Sequence, residues 1–269
     1  MNPFEVHYPS GKRIPILVSI PHCGTLFPEE LINEYKPGFI HAPDDTDWFV
    51  NQLYDFAPAM GITMITSVYS RWVVDLNRDP QNKPLYTDGR IITSLCPATN
   101  FLGEPLYVDN RKSVNEQDVS RRLDNYYWPY HNELTRLISA LKSEFGKVMI
   151  WDAHSIRQVV RTIRKQKFPD LILGDVNLTS ASKQLIEAAF QNLGKSSYSV
   201  KHNDPFIGGF ITREYGKPWD GQHALQLEMS KINYMDDTEV RYDDIRAEKM
   251  RSLLKPTLST LAGLLMNND

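Results

Sequence analysis

The chain has 269 residues, of which 41% are hydrophobic and 23% charged, values of an ordinary globular protein that argue against disorder or a fibrous repeat. Its 30 basic and 33 acidic side chains leave a net charge of −3, so no overall basic field recommends nucleic acid or an anionic membrane as partner. Cys23 and Cys96 are the only cysteines. They form no C-x-x-C pair, which excludes zinc held by several thiolates and leaves histidine and carboxylate as the metal ligands, the set typical of catalytic sites.

The opening stretch MNPFEVHYPSGKR lacks the apolar core of a signal peptide, and no run of about 18 apolar residues follows, so a cytoplasmic location is expected. Ile14 to Ile20 is apolar and β-branched and predicts a buried strand ending at Pro21-His22. Asp44, Asp45 and Asp47 offer helix caps, and Trp48, Phe49, Leu53, Phe56, Ala57 and Met60 recur at helical spacing up to Gly61. Thr63 to Val68 and Trp72 to Asp75 are expected to be strands. Residues 80–112, rich in Pro, Gly and Asn, predict irregular structure. A helix is expected over Asn115 to Glu144 with an interruption at Trp128-Pro129. Strands at Val148 to Trp151, Leu171 to Leu173, Tyr198 to Val200 and Ala224 to Met229 follow, with a helix over Ser182 to Leu193. The last helix, Asp243 to Leu265, should bend or break at Pro256. With no repeat and no linker, the economical reading is a single domain over 1–269, of α/β class, with a mixed central sheet flanked by helices.

Four segments put ligand-type side chains at the end of an apolar strand, where open α/β sheets form their sites. His22, in SIPHCG, is one; a lone histidine there equally suits a turn with one backbone hydrogen bond. Asp152 and His154, two apart in WDAHS, project on one strand face, as a carboxylate-supported metal ligand or as a proton-relay pair. A third ligand should be a carboxylate, and Asp47 is the candidate, with Asp45 as fallback and helix capping as the bland account. Arg71 and Arg78 flank Trp72 to Asn77, suited to carboxylate capture or to a surface ion pair with Asp75. In HALQLEM, Ala224, Gln226 and Glu228 share a face, so Glu228 is either a buried general base or part of an exposed face. Arg213 and Tyr215 follow paired glycines and could contact an anion or decorate a surface hairpin. The run Arg157, Arg161, Arg164, Lys165, Lys167 is read as a solvated face.

Taken in order, SIPHCG, PDDTDWFVNQLYDFA, YSRWVVDLNRDP, PLY (84–86), PYH (129–131), WDAHSI, FPDLILGD, FIGGFITREYG and HALQLEM resemble the N-formylglutamate amidohydrolase family, over most of the chain from Ser19 onward. That family is similar to the carboxypeptidase-like zinc hydrolases, including aspartoacylase, and the resemblance implies their fold. It implies a zinc ion, or another divalent metal, on His22, His154 and a carboxylate. It also implies a small acidic N-acyl amino acid as substrate, and a place late in histidine breakdown. By that likeness Asn77 and Arg78 hold a carboxylate, Arg71 polarises the acyl oxygen and Glu228 is the base; the residue pattern adds Arg213 as an anion contact and Asp152 as the support of His154. The superfamily takes its acidic ligand three residues after the first histidine, where this chain has Thr25, so Asp47 is put in its place. The family pattern also has Gly-Thr and Ser-Cys after the Pro-Asp element, against Gly174-Asp175 and Ser180-Ala181-Ser182 here. That difference leaves room for another acyl group or side chain. Two rivals to an amidohydrolase are a carboxypeptidase-like peptidase acting on short acidic peptides and a metal-free carboxylate-binding protein.

Overall fold

The structure is a computed structural model describing residues 1–85 and 93–267. Seven strands form one mixed sheet: β1 (Phe4–His7), β2 (Ile16–Ile20), β3 (Thr63–Ser67), β4 (Val148–Ile156), β5 (Leu171–Gly174), β6 (Val200–His202) and β7 (Gln222–Ser230). Their order is β1-β3-β2-β4-β7-β5-β6. The inner strands β3, β2, β4 and β7 run parallel, while β1 pairs antiparallel with β3 and β5 antiparallel with β7. All residues of β2 and β4 are buried, as parallel strands covered on both faces must be.

Side chains alternate between two apolar layers. Ile16, Val18 and Ile20 point into one, with Met149, Trp151, Ala153, Leu225, Leu227 and Met229. Against it lie α3 (Val50–Leu53), α6 (Lys183–Gly194) and α8 (Asp244–Met266), preceded in the chain by the one-turn helices α1 (Glu29–Ile32) and α2 (Pro37–Ile40). Leu17, Val148, Ile150 and Ala224 face the other layer, covered by α5 (Trp128–Phe145) through Leu134, Leu137, Ile138 and Leu141. The helix α4 (Glu116–Arg122) leads into α5, and the short α7 (Phe210–Tyr215) precedes β7. No helix among the described residues is long and apolar enough to cross a membrane.

Several expectations need correction. Trp72 to Asp75 is turn and irregular backbone rather than a strand, although Trp72, Val73 and Val74 are buried in the second layer. Backbone carbonyls there are satisfied by buried side chains: Tyr35 Oη donates to Trp72 O at 2.9 Å and Arg122 Nη1 to Val73 O at 3.0 Å. The helix expected over 48–60 starts only at Val50, since Phe49 takes a left-handed conformation at φ 62°, and after Leu53 it gives way to turns and a 3₁₀ turn at Pro58–Met60. Leu123–Tyr127 form a π-helical turn joining α4 to α5, and Pro129, whose ring and missing N–H an uninterrupted α-helix would not accommodate, follows directly after it. Pro256 leaves α8 unbroken, since Leu254, Leu258 and Leu261 are buried on either side of it. The edge strand β1 lay in a stretch too short and polar to announce itself.

Candidate metal centre and active site

The alternation that builds the sheet also builds the site. On β4, Val148 and Ile150 face the layer under α5, and Asp152 and His154 continue the same face at the C-terminal end. On β7 the series Ala224, Gln226, Glu228 does the same, and the parallel register sets Glu228 directly beside His154. His22 lies two residues beyond β2. Its carbonyl accepts the Asp47 N–H at 2.9 Å, which draws the 43–47 turn onto the strand end. Gly24 lets the following turn pass against Tyr69 and Val68, whose backbone a Cβ would strike.

His22, Asp47 and His154 are all buried, and their ligand atoms lie within 4.8 Å of one another. They are the one such group of His, Cys, Asp and Glu among the described residues. Each imidazole has a carboxylate near its Nε2: Asp75 Oδ1 is hydrogen-bonded to His22 at 2.8 Å, and Asp152 Oδ1 stands 3.0 Å from His154 as an ion-pair contact, with Asn77 Nδ2 also 3.0 Å from that nitrogen. An Nε2–H given to a carboxylate leaves the Nδ1 lone pair free for a metal, the arrangement that fixes tautomer and ring orientation in metal sites. Both Nδ1 atoms turn toward Asp47 Oδ2, at 3.6 Å from His22 and 3.1 Å from His154. Donors on a tetrahedral zinc stand about 3.3 Å apart, given metal–ligand bonds of about 2.0–2.1 Å. His22 Nδ1 is moreover a buried atom with no hydrogen-bond partner, a desolvation cost that a cation would remove. The residues present therefore fit a divalent metal. Burial would raise the Asp47 carboxyl, but His154 and His22 outweigh it and hold it well below the usual carboxylate range.

Asp75 is the hub beside this group. Its Oδ1 takes His22 Nε2 and the Asn77 N–H (2.9 Å), and its Oδ2 takes Arg71 Nη2 at 2.6 Å, with Arg78 Nη1 at 3.7 Å. Against the cost of burial, Arg71, Arg78 and His22 keep this carboxylate ionised well below its ordinary range. The ion pair with the arginines exists, but it is buried and belongs to the site rather than the surface. Arg71 and Arg78 both line the cleft above the metal ligands, as do Asn77 and Glu228. Arg78 donates to Thr93 through Nε and Nη2.

The Asn77 amide is already engaged. Its Oδ1 accepts Ile211 N–H at 2.7 Å and its Nδ2 lies 3.0 Å from His154 Nε2 and 3.3 Å from Asp152 Oδ2, so it braces both members of that pair as well as lining the cleft. Gly209 packs against that amide, with no room for a Cβ. The Gly209 N–H donates to Gln226 Oε1 at 2.7 Å, and Gln226 Nε2 approaches Glu228 Oε2 at 3.5 Å. Burial, the largest influence on Glu228, raises its pKa; the nearby carboxylates of Asp47 and Asp152 add to this, while His154 and Arg71 oppose.

The three aspartates of the 44–47 turn have separate partners, and none caps α3. Asp44 pairs with Arg157, which ties down one member of the basic run. Asp45, the fallback ligand, accepts Trp72 Nε1–H at 2.8 Å and the Phe101 N–H at 3.0 Å, away from the histidine pair. Arg213 donates Nε–H to the Gly208 carbonyl at 3.0 Å, and neither it nor Tyr215, which bonds His131 at 3.0 Å, lines the cleft. The divergent 174–182 segment also stays outside the lining: Asp175 is buried against His202 and Asn203, and Ser180 Oγ donates to Ala224 O. Tyr86 of the PLY motif lies outside the described residues. Asp75 as the partner of His22, Gln226, and the apolar wall of Phe101, Ile163 and Phe206 were not singled out in the sequence; for Asp75, its place inside the Asp-Leu-Asn-Arg motif was the available signal.

Comparison with known proteins identifies the family and the fold. The family model described as N-formylglutamate amidohydrolase matches residues 14–235. An N-formylglutamate deformylase of Pseudomonas putida is 38% identical over 254 residues, covering 93% of this chain and 92% of that protein. One from Pseudomonas aeruginosa is 36% identical, covering 93% of both. Among solved structures, the N-formylglutamate amidohydrolase of Ralstonia eutropha JMP134 superposes with a TM-score of 0.79 at 26% identity, over 97% of each chain. A protein of Agrobacterium tumefaciens shares the fold at 18% identity, with a TM-score of 0.74 over 97% of this chain and 96% of that one. The chain belongs to the N-formylglutamate amidohydrolase family.

Proposed function

We propose that this protein is a zinc-dependent amidohydrolase that converts N-formyl-L-glutamate and water to formate and glutamate. The observation that carries the reading is the convergence of two carboxylate-braced Nδ1 donors and the Asp47 carboxylate, in one cleft with a second carboxyl group and two arginines. The similarity to deformylases over nearly the whole chain supplies the substrate.

A zinc ion held by His22, Asp47 and His154 would supply Lewis-acid activation of water and of the formyl carbonyl. Glu228, beside His154, takes the proton from the attacking water and later delivers it to the departing amine nitrogen. Burial alone would keep Glu228 protonated, and its place beside His154 would let a dication bound in the triad favour the ionised form that acts as a base. Arg71, anchored by Asp75, presents its guanidinium to the oxygen on which charge develops. Arg78 receives a carboxylate of the substrate, remote from the bond being cut. Asn77 serves this grip mostly by holding Asp152 and the 209–211 backbone in place.

Elemental analysis of the purified protein, combined with formate release from N-formyl-L-glutamate, tests the reading. About one zinc per chain and formate release abolished by chelation and restored by zinc are expected. Metal-free protein that still binds glutamate, or cleavage of short acidic peptides without formate release, would overturn it.

A further inference from the structure

One end of the cleft is apolar: Phe101, Ile156, Ile163 and Phe206 line it, backed by Val160 and the stacked Phe168–Phe206 pair at 5.4 Å. Phe101 lies closest to the reacting groups, with the Arg71 guanidinium carbon 4.9 Å from its ring centre. Its position is fixed from several sides. Both oxygens of buried Asp45 accept the Phe101 N–H, at 3.0 and 3.1 Å, and the same carboxylate takes the indole N–H of Trp72, the residue next to Arg71. Thr162 Oγ1 donates to the Phe101 carbonyl. The turn itself is tight: Asn100 Oδ1 accepts the N–H groups of Leu102 and Glu104, at 3.0 and 2.9 Å. Asp45 thus ties the Phe101 backbone to the indole of Trp72, the neighbour of Arg71, a task that neither helix capping nor metal ligation accounts for.

Resting on the reading of Arg71 as the group that faces the acyl oxygen, we infer that Phe101 is the residue that limits the acyl group to formyl. An oxygen hydrogen-bonded to the guanidinium puts the acyl carbon about 4 Å from Arg71, given donor–acceptor distances near 2.9 Å and a C=O bond of 1.23 Å. The Phe101 ring covers the same guanidinium at comparable distance. With the acyl carbon on the side of the guanidinium that the ring covers, a formyl hydrogen would fit beneath the ring, whereas the methyl of an acetyl group would project about 1.5 Å from that carbon toward it. Asp45 is the positioning residue that keeps the ring from yielding.

The test is kcat/KM of the zinc-loaded enzyme for N-formyl-, N-acetyl- and N-propionyl-L-glutamate, with N-formyl-L-aspartate as control, in wild type, Phe101→Ala, Phe101→Leu and Asp45→Asn. Zinc content and melting temperature are followed alongside, and Phe101→Leu guards against a poorly folded alanine variant. Phe101→Ala is expected to raise the acetyl-to-formyl ratio by about 10–200-fold, the usual worth of one methylene-sized clash. Phe101→Leu and Asp45→Asn should shift it less, in the same direction. An unchanged ratio in a variant that still releases formate overturns the inference and leaves the amidohydrolase reading standing. So does a shift confined to glutamate against aspartate, or a wild type indifferent to acyl size. Zinc-loaded wild type that releases neither formate nor acetate refutes the amidohydrolase reading, and this inference with it.

Discussion

His131 donates its Nε2–H to the carbonyl of Leu76 across 2.9 Å, and that carbonyl lies between the two residues, Asp75 and Asn77, that contact His22 and His154. One helical turn before His131, Tyr127 Oη donates to the Arg78 carbonyl at 2.8 Å. Two side chains of the helix thus hold an irregular segment that the sheet does not pair.

The same histidine makes folding sensitive to acid. Burial, partly opposed by the Leu76 hydrogen bond and by Asp152, pushes the His131 pKa down to about 4. The unfolded chain, with a histidine near 6.5, therefore takes up the proton first as pH falls. The contribution of neutral His131 is complete above about pH 6.5 and is lost progressively toward pH 4, on the order of 3 kcal/mol in total. Urea unfolding of wild type and His131→Gln at neutral pH and near pH 4 should show the gap between them shrinking on acidification. His223, also lowered to about 4 by burial, is present in both and cancels. A gap independent of pH would dismiss this account.

Asp75→Asn should weaken zinc binding by about 10–100-fold, the usual cost of losing a carboxylate behind a metal-bound imidazole. Because Asp75 also anchors Arg71, kcat should fall further even at saturating zinc. Competition with a chromogenic chelator measures the first effect and steady-state kinetics the second; wild-type affinity in the variant would remove Asp75 from the site.

Glu228→Gln keeps the shape of the β7 face and the approach of Gln226, so zinc should stay bound. Turnover is expected to drop by about 10²–10⁴-fold, the range for general acid–base groups. Near-normal kcat would assign the proton transfer elsewhere.

Gly209→Ala drives a methyl group into the Asn77 amide and should displace it from Asp152 and from the Ile211 N–H. A loss of about 1–3 kcal/mol in stability follows from overpacking of this kind. In an Asn77→Ala background the clash has no target, so a double-mutant cycle should show strong coupling; strict additivity would mean that the crowding is relieved by backbone movement.

Much of the site could be read in the sequence because it obeys strand periodicity. His154 with Asp152, and Glu228 with Gln226, interrupt apolar alternation on single faces, and that is visible without a partner strand. What brings Asp47 to His22 is a backbone hydrogen bond across a turn, which no spacing reveals. Trp72 to Val74 looked like a strand because burial selects the same β-branched and aromatic residues whether the backbone is paired to a neighbour or to side chains such as Arg122 and Tyr35. The long apolar period after Asp47 likewise reported a buried face, while the left-handed Phe49 that delays the start of the helix leaves no mark on hydropathy. Phe101 sits in a stretch without periodicity, so its closeness to Arg71 was invisible.

All the chemistry sits along one rim of the sheet, where the parallel strands β2, β3, β4 and β7 end. The opposite rim carries loops such as the one at Gly11, between β1 and β2, where an added side chain would meet nothing within 4 Å. Fused peptides, dyes or tethers attached on that far side would therefore burden neither metal nor substrate, and would leave the molecule free to be immobilised with its working mouth facing outward.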